Sequence, residues 1–91
     1  MTSPNLGACF GQAVKQLREQ KNWSQERLAA ESDLNRTYVG EIERGRVVPS
    51  LVTLQKLAHA LGLASSALVA HSEQLQHKPV GHTAPLMAIA G

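Results

Sequence analysis

The sequence predicts an all-α domain built from five short helices. Apolar residues recur three and four positions apart in several segments, which is the period of a helix with one buried face. Ser, Asn and Gly stand where those segments should start and end. No run alternates apolar and polar residues convincingly over the length of a strand, so a sheet is not expected.

The first helix is predicted to begin near Cys9 and to end near residues 21–22. Its inner face is an apolar stripe with helical spacing, formed by Phe10, Ala13, Val14 and Leu17. Residues 1–7, which contain Ser, Pro, Asn and Gly, are predicted to form an N-terminal arm.

Two further helices are predicted to follow with only a brief connection between them. Ser24 can cap the second helix by accepting from a free backbone N–H, and this helix should end near Ser32. Asp33 then turns the chain, because Asp tolerates the left-handed conformation. Asn35 is positioned to cap a third helix over residues 36–44.

The fourth and fifth helices are predicted from similar signals. Ser50 caps the fourth helix, and Gly62 closes it. Its apolar stripe consists of Leu51, Leu54, Leu57, Ala58 and Leu61. Ser65 or Ser66 opens the fifth helix, which should continue to about Leu75.

The predicted organisation is an arm at residues 1–7, one domain at 8–76 and a C-terminal tail at 77–91. Within the domain, residues 25–44 form a helix-turn-helix. The tail contains Pro79 and Pro85, which interrupt regular structure, and ends in an apolar stretch around residues 86–89.

Composition indicates a folded single domain. The chain has 91 residues, of which 43% are hydrophobic and 18% charged. The net charge is +2, but seven of the nine Lys and Arg residues fall between Lys15 and Arg46. This asymmetry fits either one charged contact surface or a solvated helical surface. A single cysteine, no signal peptide and no membrane span lead us to expect a cytoplasmic protein.

Catalytic and metal sites are not predicted. Cys9 has no evident base partner, and no nucleophile motif or phosphate loop is present. His71, His77 and His82 are six and five positions apart, which places them on no common helix face. His59 is interpreted as a structural histidine near the core. We therefore expect no enzyme activity, no metal and no cofactor.

The closely spaced second and third helices are the strongest functional signal. Such a pair is the arrangement of the DNA-binding helix-turn-helix, in which the second helix enters the major groove. The residues predicted to fix the angle between the two helices are Leu28, Ala29, Leu34, Val39 and Ile42.

The opposite face of the third helix carries side chains suited to reading bases. The candidates for base reading are Asn35, Arg36, Thr37, Gly40 and Glu41. Arg can bind guanine with two hydrogen bonds, Asn can do the same to adenine, and a Thr methyl can contact thymine. Gly40 is either tolerated or allows the groove to approach closely. Glu41 either accepts from cytosine N4 or repels phosphate.

Residues 10–69 resemble the Cro/XRE helix-turn-helix family of phage repressors and bacterial regulators. The resemblance rests on six runs in order: 17–18, 23–29, 34–39, 42–45, 49–51 and 57–62. Their sequences are Leu-Arg, Trp-Ser-Gln-Glu-Arg-Leu-Ala, Leu-Asn-Arg-Thr-Tyr-Val, Ile-Glu-Arg-Gly, Pro-Ser-Leu and Leu-Ala-His-Ala-Leu-Gly. It implies a five-helix, lambda-repressor-like DNA-binding domain, and the short chain is also similar to restriction–modification controller proteins.

The resemblance also implies roles for individual residues. The expected phosphate contacts are Ser24, Gln25, Arg44 and Arg46, together with Tyr38 if it does not pack on the core edge instead. Arg18 and Glu43 match a structural ion pair between the first and third helices, and both are therefore excluded from the DNA-reading surface.

The expected partner is double-stranded DNA, bound by a homodimer on a near-palindromic operator. The dimer is predicted to form through the fifth helix, with Leu68 exposed, although this apolar segment could instead close the monomer core. The alternative function is a protein-interaction module or antitoxin whose C-terminal segment binds a partner.

Overall fold

A computed structural model describes residues 5–77, which form five α-helices and no strand. The helices are α1 (Leu6–Gln20), α2 (Gln25–Ser32), α3 (Arg36–Glu43), α4 (Leu51–Ala60) and α5 (Ser65–Gln76). The predicted all-α class is confirmed. Residues 78–91, which include His82 and nearly all of the predicted tail, lie outside the described residues.

Helix α1 begins earlier than the sequence analysis predicted. Asn5 is its N-cap, and the Asn5 Oδ1 accepts a hydrogen bond from the Ala8 N–H at 2.7 Å. The predicted arm assigned this residue to irregular chain, but Asn is a preferred capping residue and starts the helix at Leu6. Beyond the end of α1, Asn22 takes a left-handed conformation with φ 58° and turns the chain toward α2.

The predicted caps of α2, α3 and α4 are present. The side-chain oxygens of Ser24, Asn35 and Ser50 each accept from the backbone N–H three residues ahead, at 3.0, 3.0 and 3.2 Å. Helix α5 differs, because its N-cap is Ala64, which provides no side-chain acceptor. The helix nevertheless begins at Ser65, as predicted.

One continuous core joins the five helices. It contains the following buried apolar residues: Phe10, Ala13, Val14, Leu28, Ala29, Val39, Ile42, Leu57, Ala58, Leu61 and Leu68. Where α1 crosses α3, a Cβ at Gly11 would overlap the backbone carbonyl oxygens of Ile42 and Glu43. Glycine at this position therefore allows the backbone of α1 to lie directly against the end of α3.

Three predicted placements are wrong. Leu51, which was assigned to the buried stripe of α4, is 81% exposed because no element among residues 5–77 packs over its side chain. His59 is exposed rather than near the core. Leu68 has no exposed surface and closes the monomer core, which is the alternative placement given for this segment, so it is not available for the predicted dimer contact through α5.

Candidate nucleic-acid interface

Helices α2 and α3 form the compact pair that the sequence predicts. Only residues 33–35 separate them, and Asp33 takes the left-handed conformation (φ 56°, ψ 47°). The Leu34 N–H donates to the Ala29 carbonyl at 2.9 Å, which closes the turn. Leu28 and Ala29 are buried beneath it, and Leu34 packs against them. The first turn of α3 consequently begins at the surface.

The N-terminal end of α3 presents three of the predicted base-reading residues. Asn35, Arg36 and Thr37 are all exposed. The Asn35 Oδ1 is occupied by its capping bond, whereas the side-chain NH₂ of the same amide is a donor. This end of the helix thus offers amide, guanidinium and hydroxyl groups to a molecule approaching from solvent.

Arg36 has an acidic neighbour on α2. Its Nε lies 3.1 Å from Glu26 Oε2, and the two side chains are 58% and 66% exposed. Glu26 lies in the first turn of α2, where an acidic side chain complements the N-terminal end of the helix dipole. The contact links the candidate base-reading side chain to the preceding helix, and no spacing rule in the sequence would have found it.

Gly40 is buried, although it lies on the outer face of α3. The Arg44 guanidinium covers it, with both terminal nitrogens 3.3 Å from the position that a Cβ at Gly40 would take. Arg44 Nη2 also lies 2.6 Å from Glu41 Oε2. This hydrogen bond lowers the pKa of the Glu41 carboxyl below its ordinary value. In this structure the Arg44 side chain occupies the space beside Gly40 that the second of its two interpretations reserved for the DNA groove.

The remaining predicted phosphate contacts have different surroundings. Arg46 and Ser24 are exposed, and the Ser24 Oγ already caps α2. Tyr38 is half-buried and packs against the core, as one of its two predicted placements requires. Gln25 is also half-buried, and its Nε2 donates to Glu43 Oε1 at 2.9 Å.

A buried ion-pair network supports the interface from below. Arg18 Nε and Nη2 donate to the two carboxylate oxygens of Glu43, at 2.7 and 2.9 Å. Arg18 Nη1 donates to the Trp23 carbonyl oxygen at 2.8 Å. Hydrogen bonding to Glu43 raises the pKa of the Arg18 guanidinium above its ordinary value. The predicted structural pairing of Arg18 with Glu43 is therefore present. The additional bond from Gln25 was not predicted.

An exposed apolar surface lies beside the loop that follows α3. The exposed large apolar side chains of residues 5–77 are Leu6, Val48, Leu51 and Val52. Leu6, Val48 and Leu51 border a groove of about 200 Å³ that is also lined by Phe10 and Val69. We call this region the α1–α4 apolar surface. Sequence analysis missed it, because periodicity does not show where neighbouring helices end.

Within residues 5–77, no group of three His, Cys, Asp or Glu side chains is arranged to hold a metal ion. The same part of the chain has no helix long and apolar enough to cross a membrane.

Comparison with known proteins agrees with the fold and the arrangement of α2 and α3. Residues 14–68 match the family described as Helix-turn-helix, HTH_3. The control protein C.BamHI of Bacillus amyloliquefaciens is 47% identical over 66 residues, which cover 71% of this chain and 82% of that protein.

Two solved structures are also similar. The restriction–modification controller protein C.AhdI from Aeromonas hydrophila has a TM-score of 0.65 and 48% identity, covering 67% of this chain and 92% of that one. The master regulator of biofilm formation SinR, solved in complex with DNA, has a TM-score of 0.62 and 31% identity. The match covers 66% of this chain and 97% of that one. The present chain therefore belongs to the helix-turn-helix family of the Cro/XRE type, a family of DNA-binding transcriptional regulators.

Proposed function

We propose that this protein is a sequence-specific transcriptional regulator that inserts α3 into the major groove of its operator. The observation that carries the proposal is the exposed start of α3, where Arg36 and Thr37 follow the Asn35 cap on a turn fixed by the core. Such a helix fits the major groove, and its first residues are the ones that reach base edges in helix-turn-helix proteins.

Arg36 is the principal base-reading side chain in this proposal. Its planar guanidinium can bind O6 and N7 of a guanine simultaneously. Thr37 and the free NH₂ of Asn35 stand beside it, and Glu41 lies on the same helix. In the free protein the Glu26 carboxylate engages the Arg36 Nε, which leaves the N–H donors of the two terminal nitrogens for a guanine edge.

Phosphate contacts are assigned to the start of α2 and to the loop after α3. Gln25 uses one N–H to bind Glu43, which leaves the second N–H of its amide available for a phosphate oxygen. Arg46 is exposed and forms no ion pair within 4 Å among residues 5–77. Such contacts set the register of the protein on DNA and make its affinity depend on salt.

We further propose that two copies bind a near-palindromic operator as a two-fold dimer. The α1–α4 apolar surface supports this part of the proposal, because exposed Leu6, Val48 and Leu51 would be removed from water by a second copy. Val48 lies in the short loop that follows α3. A contact between two copies at this loop would place their α3 helices near each other, as binding to neighbouring half-sites requires. This surface takes the place of Leu68 in the predicted α5 interface.

Selection from random duplex DNA at two salt concentrations tests the proposal. We expect a two-fold-symmetric site with half-sites about one helical turn apart, and an affinity that falls steeply with salt. Arg36→Ala should cost about 1–3 kcal/mol on that site and relax preference at one base pair. Lys15→Ala, which removes the same charge from α1 outside the interface, is the control. Failure of the wild-type protein to enrich any site would overturn the proposal.

A further inference from the structure

We propose that Arg44 reads a base pair, with its guanidinium oriented by Glu41 and lodged over Gly40. This inference rests on the proposed function, because it requires α3 to lie in the major groove. It differs from the phosphate-anchoring role that the family resemblance implies for Arg44, and it makes Glu41 and Gly40 positioning residues.

The placement of the Arg44 guanidinium is the first observation. Gly40 and Arg44 are four residues apart and therefore on one face of α3. The guanidinium folds back by one turn, and its central carbon lies 3.6 Å from the position that a Cβ at Gly40 would occupy. Instead of extending past the end of the helix toward a phosphate, the charged group thus lies against the middle of the recognition surface.

The second observation is the ion pair with Glu41. Arg44 Nη2 and Glu41 Oε2 are 2.6 Å apart, while the Arg44 side chain remains 50% exposed. A guanidinium has five N–H donors, so donors are left for an incoming acceptor after one is used by Glu41. The carboxylate restricts the orientation of the planar group, which is what a two-bond contact with a guanine edge needs.

The charge around Arg44 also argues against a role in binding phosphate. Phosphate binding depends on net positive charge that displaces condensed counterions. The Glu41 carboxylate offsets part of the Arg44 charge and is an unfavourable neighbour for an approaching phosphate. Arg46, two residues further on, is exposed and has no ion pair within 4 Å in the described part of the chain. We therefore assign phosphate binding here to Arg46.

The position of Gly40 predicts where the second base pair should lie. Arg36 and Gly40 are one turn apart, a rise of about 6 Å along α3. This rise is comparable with about two base-pair steps of 3.4 Å. A half-site read by Arg36 and Arg44 should therefore contain two preferred guanines a step or two apart.

Conservative substitution distinguishes base reading from phosphate binding. Lysine can replace arginine as a point charge at a phosphate but lacks the planar pair of donors. In the full chain, Arg44→Lys should weaken binding to the selected site about 5- to 140-fold. It should also abolish the preference at one base pair. The affinity for random-sequence DNA should stay within about twofold of the wild-type value. Arg46→Lys, the matched control, should change neither site affinity nor base preference appreciably. An Arg44→Lys protein that keeps the wild-type preference would overturn the proposal.

Gly40→Ala supplies an independent test with a separate readout of folding. Alanine stabilises a helix relative to glycine, so the melting temperature should rise. The added Cβ would lie 3.3 Å from the guanidinium nitrogens, so that group would have to shift by a few tenths of an ångström. Preference at the same base pair should therefore fall although the protein is more stable. Unchanged preference in a stabilised Gly40→Ala protein would overturn the role of Gly40. If the wild-type protein enriches no site at all, the proposed function itself has failed.

Discussion

Arg18 and Glu43 form a two-bond ion pair that joins the end of α1 to the end of α3, with Nε and Oε2 2.7 Å apart and the side chains only 10% and 3% exposed. Glu43 also accepts from Gln25 at the start of α2. The last residue of α3 is consequently tied to both helices that precede it. A buried charge held in this way is costly to leave without its partner.

Glu43→Gln should therefore destabilise the protein by about 3–5 kcal/mol, because it leaves the Arg18 guanidinium buried without a countercharge. Denaturant unfolding followed by the fluorescence of Trp23, the single tryptophan, measures this change. Glu31→Gln is the matched control, since Glu31 pairs with Arg27 at 2.9 Å on the surface, where both side chains are about half exposed. It should cost less than about 1 kcal/mol. Equal losses in the two variants would contradict a supporting role for Glu43.

Glu26→Gln should increase affinity for DNA several-fold at low salt. The substitution frees the Arg36 guanidinium from a carboxylate 3.1 Å away. It also removes a negative charge that would lie beside the DNA major groove in the proposed complex. Fluorescence anisotropy with the selected operator, compared with the Glu31→Gln protein, separates the local effect from the change in net charge. Weaker binding of Glu26→Gln would instead mean that Glu26 orients Arg36 in the complex.

The Glu41 carboxyl should titrate below the ordinary pKa of a glutamate, since Arg44 hydrogen-bonds its charged form. The ion pair is then complete at neutral pH and is lost only as the pH falls through the lowered pKa. NMR titration of the Glu41 side chain in the wild-type and Arg44→Met proteins measures the effect. We expect the pKa to move up toward its ordinary value in the variant. No upward movement would show that the contact is not maintained in solution.

Leu51→Glu should weaken self-association at least tenfold without lowering the stability of the monomer. Leu51 is 81% exposed, so a charged side chain at this position meets no steric or desolvation penalty in the isolated chain. Sedimentation over a range of concentrations, together with the melting temperature, gives both quantities. Leu68→Ala serves as the contrast, because truncation of that fully buried residue should destabilise the fold. A Leu51→Glu protein that still dimerises would place the interface elsewhere.

Local chemistry explains why the helices could be predicted well. The signals that define the helix ends act through hydrogen bonds and conformational preferences that depend on a few neighbouring residues. They are the capping residues Ser24, Asn35 and Ser50 and the left-handed Asp33. These signals define the short connection between α2 and α3. The compact pair and its exposed first turn could therefore be predicted from the sequence.

The misplaced residues depend on contacts that are distant in the chain or on long side chains. The exposure of Leu51 depends on where the other helices end, which the period of α4 does not encode. The burial of Gly40 is produced by the side chain of Arg44 folding back over it. The salt link between Arg36 and Glu26 likewise requires the angle between α2 and α3.

The close contact at Gly11 has a mechanical consequence for operator recognition. Because α1 lies against the backbone of α3 there, and Glu43 is held by Arg18, the recognition helix has little freedom to tilt within its domain. In the proposed dimer, a mismatch between the spacing of the two α3 helices and that of the two half-sites would then have to be absorbed mainly by bending or twisting the DNA. For operators that differ only in their uncontacted central base pairs, the affinity of the protein should consequently follow the flexibility of those base pairs.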